Sequence, residues 1–243
     1  MVDASANVPT LPANTRGSFQ ELTQLLTSLA GAHLLGLNAF GGWLIDDALF
    51  RGTPARSVAV LERFDLRLLD RLAREGVRLG KRGLAAPLLM TPEYIAASRD
   101  VFPLELMEIQ HLNVLVHGRD CFGSLEFRRG DVRLQCEREL KSELLHLRQT
   151  LLAAGGEHRR LGEHVRHEAE RATRVLRGVL YLAAKDAPRP SAEMVGRCAD
   201  ATGLKLDTLR QVVLDPGRVD FDGFERFYAD LTALADYVDK LAE

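Results

Sequence analysis

The sequence predicts an α+β protein in which a small mixed sheet is followed by an all-α helical bundle. Two observations carry this reading. Up to about residue 127 the apolar residues come in short runs bounded by Gly and Pro, which suits buried strands. From about Asp131 they recur at spacings of three and four over long stretches, the period of helices that share a core. The expected division is a flexible leader at 1–17, a sheet-containing domain at 18–127 and a helical domain at 128–243.

The elements follow in order. Phe19, Leu22, Leu25, Leu26 and Leu29 mark an amphipathic helix over 18–30, with Ser18 as its candidate cap. Ala32–Phe40 (AHLLGLNAF) is short, apolar and stopped by Gly41-Gly42, so it reads as a buried strand. Ser57–Leu61 (SVAVL), after the turn-forming Gly52-Thr53-Pro54, is a second strand. Asp65–Arg74 places Leu66, Leu69 and Leu72 on one helical face, and a loop carrying Gly76, Gly80 and Gly83 follows. Pro87–Met90 reads as a strand, and Thr91-Pro92-Glu93 has the composition of a helix start. Phe102–Gln110 and Asn113–Val116 are expected to complete the sheet as strands.

In the second half, Cys136, Leu140, Leu144, Leu147 and Leu151 draw one stripe along a helix that ends at Gly155-Gly156. A second stripe runs from Leu161 to Ala183. Pro188 and Pro190 break the chain before shorter helices at Met194–Ala201 and Asp207–Leu214, where Asp207 is a cap candidate. A last helix carries Phe224, Phe227, Tyr228, Leu231, Leu234, Val238 and Leu241.

Composition narrows the function classes. Hydrophobic residues make up 46% of the chain and charged residues 27%, values of an ordinary globular protein. With 32 Lys and Arg against 34 Asp and Glu the net charge is −2, which argues against generic nucleic-acid binding. The balance is uneven: 12 basic against 14 acidic side chains in 1–127, 12 against 8 in 128–178 and 8 against 12 in 179–243. The middle stretch is therefore where an anionic ligand, or the acidic tail itself, would be drawn. The longest apolar run, Leu84–Met90, falls far short of the roughly 20 residues that cross a bilayer, so no membrane association is expected. The first residues lack the basic start and apolar core of a secretory signal. Three widely spaced cysteines, with no C-x-x-C, support neither a disulfide framework nor a zinc ribbon. Cys136 and Cys198 sit on apolar stripes and read as buried thiols of a cytoplasmic protein.

The order of parts resembles the nucleotidyltransferase superfamily: an apolar strand closed by Gly41-Gly42, a short strand at 57–61, and a carboxylate-bearing segment before a helical bundle. SRDVFPLELMEI (98–109) is similar to the family's third strand and its approach, and VLVHGRD (114–120) to its V-L-Y-G-x-D segment. ERELKSELLHLRQTLL (137–152) resembles the first helix of the aminoglycoside-type C-terminal domain. The resemblance covers most of 30–185. It implies a sheet site where two carboxylates on alternate strand positions, with a third from a neighbouring strand, hold two magnesium ions beside a Gly-Ser turn. Here the turn is Gly41-Gly42, and the strand positions for the pair fall on Arg56 and Val58, one a cation and one a hydrocarbon. The expectation is therefore a catalytically degenerate protein without a cofactor. It binds a nucleotide, a small anionic ligand or a protein partner, a second copy included, and Gly41, Gly42 and Arg56 contact the ligand. Arg56 then partly mimics the missing metal charge.

The competing enzyme reading uses Asp46 or Asp47 with Glu105 and requires magnesium. Asp46 and Asp47 are neighbours and point apart, and on a strand Glu105 and Glu108 lie on opposite faces. A third reading rests on Arg159 and His164, whose spacing is similar to the R-x4-H of HEPN-type ribonucleases. There histidine serves as acid/base and arginine holds phosphate charge. His146, His158, His164 and His167 cluster in sequence, and His164 and His167 share a helix face, yet three arginines surround them and a solvated face is the simpler reading. No P-loop, dinucleotide fingerprint, nucleophile elbow or H-E-x-x-H is present.

Overall fold

The structure is a computed structural model that describes residues 10–157, 161–217 and 219–241. It divides into two compact units. The first comprises the chain up to Leu44, Gly52–Arg99 and Glu108–Glu126; the second comprises Ile45–Arg51, Asp100–Met107 and the chain from Phe127.

The first unit is built on a four-stranded mixed sheet. Its strands are β1 (Leu34–Phe40), β2 (Arg56–Leu61), β3 (Leu88–Met90) and β4 (Asn113–Gly118), in the order β3-β2-β1-β4. β1 is antiparallel to both β2 and β4, and β2 is parallel to β3. Alternation sends Leu37, Ala39, Ala59, Leu61 and Val116 to one face. They form a core with Phe19, Leu22 and Leu26 of α1 (Arg16–Ala30) and Leu68, Leu72 and Leu79 of α2 (Leu66–Lys81). The short α3 (Pro92–Ala97) begins as its composition predicts: the Thr91 hydroxyl accepts from Tyr94 N and Pro92 opens the helix.

Several local expectations are corrected. Ser18 is not a cap; it is buried within α1 and donates to Arg82 O. The loop expected from Gly76 is helix: α2 runs on to Lys81, capped by Asp65, with Asp70–Arg74 and Glu75–Arg78 pairs along its surface. Gly76 and Gly80 sit within this helix where no neighbour crowds them, and helix is tolerated there. Leu11, inside the segment expected as a leader, is buried in the core. The largest difference is at 102–110, expected as a strand and found as the helix α4 (Pro103–His111). Leu104, Leu106, Met107 and Ile109 are all buried and Glu108 is buried among them, so over nine residues the sequence shows no clean apolar stripe at a 3.6-residue period.

The second unit is helical: α5 (Arg129–Ala154), α6 (Leu161–Leu182), α7 (Ser191–Thr202), α8 (Asp207–Leu214) and α9 (Phe221–Asp239). The predicted stripes are buried over most of their length, with Leu151, Ala183, Tyr228 and Leu241 at or near their ends or edges only part-buried, and α5 ends on Gly155 in the left-handed conformation. Asp207 lies in the first turn of α8 and is not its cap. Arg166 fixes the Ile45–Arg51 segment by donating to Leu49 O and Arg51 O. Among the described residues no helix is long and apolar enough to cross a membrane.

Candidate functional site

The face of the sheet opposite α1 and α2 carries the residues of interest. Phe40 and Asn38 of β1 stand in register with Arg56 and Val58 of β2, so all four share that face. Beyond Phe40 the chain turns at Gly41, whose φ of +104° is accessible to glycine and strained for other residues. Gly41 N donates to Leu112 O at 2.8 Å. Gly42 opens a single 3-10 turn, Gly42–Leu44. Trp43 holds this turn in place: its indole N–H donates to Phe40 O, and its ring stacks on Phe19 with centroids 5.7 Å apart.

Arg56 lies beside this turn. Its guanidinium carbon is 4.4 Å from the centre of the Phe40 ring, a cation–π distance. Nη1 is 3.2 Å and 3.4 Å from the two carboxylate oxygens of Glu108, on the C-terminal part of α4. The Glu108 side chain is 7% exposed and that of Arg56 42%, so the carboxylate is enclosed while the arginine side chain stays partly open to solvent. The end of α4 is tied down by Asn113, which donates to Ile109 O and Gln110 O and accepts from Asn38. Asn38 is fully buried and its Oδ1 has no hydrogen-bond partner among the described residues.

Whether these residues suit magnesium is decided by their chemistry. At the two strand positions stand a guanidinium and the fully buried side chain of Val58, and the nearby carboxylate, Glu108, is already bonded to the guanidinium. Hard divalent cations take oxygen ligands, so the set does not fit. Among the described residues no three His, Cys, Asp or Glu side chains gather into a group able to hold a metal.

The other carboxylates lie elsewhere, in the helical unit. Asp46 is almost fully exposed, 3.6 Å from Arg51. Asp47 caps two helices at once, Oδ1 accepting from Leu49 N and Oδ2 from Ser191 N at the start of α7. Glu105 is on a helix, not a strand; it accepts from Gln135 at 2.6 Å and lies 3.5 Å from Arg174. Its expected opposition to Glu108 by strand alternation does not apply. His164 and His167 are exposed on α6. Arg159 and His158 lie outside the described residues.

Sequence reasoning missed two features. One is Glu108 as the partner of Arg56, 52 positions away. The other is Glu143 of α5, fully buried with neither carboxylate oxygen hydrogen-bonded among the described residues. Burial and the nearby Glu168 push its carboxyl well above the usual range. Glu168 is also pushed up by burial, opposed by Arg171 3.8 Å away and His146 4.0 Å away. Cys136 and Cys198 are buried as expected; burial raises both thiols, Cys198 to about 12.

The mixed sheet with its helical partner unit has a nucleotidyltransferase-like fold. The crystal structure of spectinomycin adenyltransferase AAD(9) from Enterococcus faecialis, with ATP and spectinomycin, is similar to it at a TM-score of 0.55. Identity is 9%, and the match covers 92% of this chain and 99% of that one, so the likeness is one of fold. No protein-family model matches the chain, and no curated protein sequence does.

Proposed function

We propose that this chain is a catalytically degenerate nucleotidyltransferase-like protein of the cytoplasm, one that binds without transferring a nucleotide. The observation that carries the reading is the pairing of Arg56 with Glu108, beside the buried Val58, on the strand where the fold's chemistry needs two carboxylates. A guanidinium and a hydrocarbon cannot replace metal-bound oxygens in activating an attacking hydroxyl. They can help hold an anion: the partly exposed Arg56 side chain, next to the Gly41 turn, offers charged N–H donors to the phosphate of a nucleotide or other small ligand. Asp46, Asp47 and Glu105 give the active-enzyme reading no support, since each is engaged separately.

Calorimetric titration of the full chain with ATP and GTP, with and without magnesium, tests this. The expected result is weak binding that magnesium leaves unchanged and that Arg56→Ala reduces. Tight, magnesium-dependent binding overturns the reading. Unchanged binding in Arg56→Ala removes Arg56 as the anion contact.

A further inference from the structure

Arg56 already has an anion, and it comes from the chain itself. Both Glu108 contacts are made by Nη1; among the described residues Nε and Nη2 donate to nothing. The Phe40 ring fixes the guanidinium from one side, so it cannot swing away from its carboxylate without losing the cation–π contact. Glu108 is equally constrained, because Asn113 holds the last carbonyls of α4 and Leu112 O accepts from Gly41 N. Gly41 lies over the pair: a Cβ placed there would be 3.5 Å from both Arg56 Nη1 and Glu108 Oε1. The backbone turn, the cation and the internal carboxylate therefore meet at one point, and the Arg56 side chain remains partly exposed there.

We propose that Glu108 is an internal anion that competes with ligand for a phosphate-binding position at Arg56 and weakens it, and that the ligand class it competes with is a polyphosphate or phosphate ester. The inference rests on the proposed metal-free site. A phosphate reaching Arg56 must either displace Glu108 from Nη1 or share the guanidinium with it, and two anions on one cation repel each other. Removing the charge of Glu108 while keeping its shape leaves an uncommitted guanidinium, held flat by Phe40 and able to present two parallel N–H donors.

The test is titration of the full chain with inorganic pyrophosphate, without magnesium, in the wild type, Glu108→Gln, Arg56→Gln and the double variant, with thermal melts to verify folding. Glu108→Gln is expected to bind pyrophosphate at least about tenfold more tightly than the wild type, a gain in the range of one charge-assisted hydrogen bond. The double variant is expected to lose that gain. If Glu108→Gln does not fold, Glu108→Asp, which keeps the charge and shortens its reach, is expected to give an intermediate gain. Affinity unchanged in a folded Glu108 variant, or a gain that survives loss of Arg56, overturns the proposal. Such a failure with magnesium-independent binding intact removes the internal anion alone; magnesium-dependent nucleotide binding removes the metal-free site beneath it.

Discussion

Two enclosed carboxylates, one in each unit, are handled in opposite ways. In the sheet unit Glu108 meets a guanidinium, and its charge is balanced at 3.2 Å. In the helical unit neither oxygen of Glu143 has a hydrogen-bond partner among the described residues, and its carboxyl is driven toward the protonated form. Burial alone does not decide what a carboxylate does; the partner does. The sheet unit's carboxylate fixes a cation on the face where the fold's chemistry would be sought. The helical unit's carboxylate is a stability cost near the core of α5.

Replacing the cation should have the largest effect. Arg56→Leu leaves Glu108 enclosed without a counter-charge. A fully buried pair broken this way costs about 3–5 kcal/mol, and the partial exposure of Arg56 reduces that to about 2 kcal/mol of lost stability in denaturant melts. No loss would mean that the pair does not hold α4 against the sheet.

Glu143→Leu should act in the other direction. It removes two unsatisfied buried oxygens and should stabilise the protein by about 1–2 kcal/mol. The pH dependence has a definite sign. A carboxyl raised in the folded state contributes stability below its unfolded pKa, and that contribution is lost as pH rises through the folded value. Wild-type stability should therefore fall toward alkaline pH, and Glu143→Gln should flatten that fall. A wild-type profile identical to that of the variant would show that Glu143 has found a partner.

The contrast also marks what the sequence could disclose. Strands β1 and β2, the Gly41-Gly42 turn and the stripes of α5 and α6 were legible because each rests on a local period or a local stop. So was the presence of Arg56 and Val58 on one face, since strand alternation fixes it. α4 was not, because a short helix whose residues are mostly buried, Glu108 included, carries no clear period. Its misreading hid the role of Glu108, which becomes visible only when α4 and β2 meet across 52 residues. Glu143 was hidden differently. It falls between Leu140 and Leu144 on the predicted stripe, and nothing in the sequence says that no donor would face it.

The smallest effects separate two adjacent acids. Asp47 caps the 3-10 turn Ala48–Phe50 through one oxygen and α7 through the other, so Asp47→Ala should cost about 1 kcal/mol, the usual range for a lost cap. Asp46 stands one residue earlier, almost fully exposed beside an exposed Arg51, where solvent screens the pair. Asp46→Ala should leave the melting temperature where it was. Both acids were candidates for the same metal-bound role, and a shared role would make the two variants alike in nucleotide binding. Equal loss of magnesium-dependent binding in both, measured beside unequal stability, would reinstate that role; unequal stability with binding unchanged assigns Asp47 to capping and Asp46 to the solvated surface.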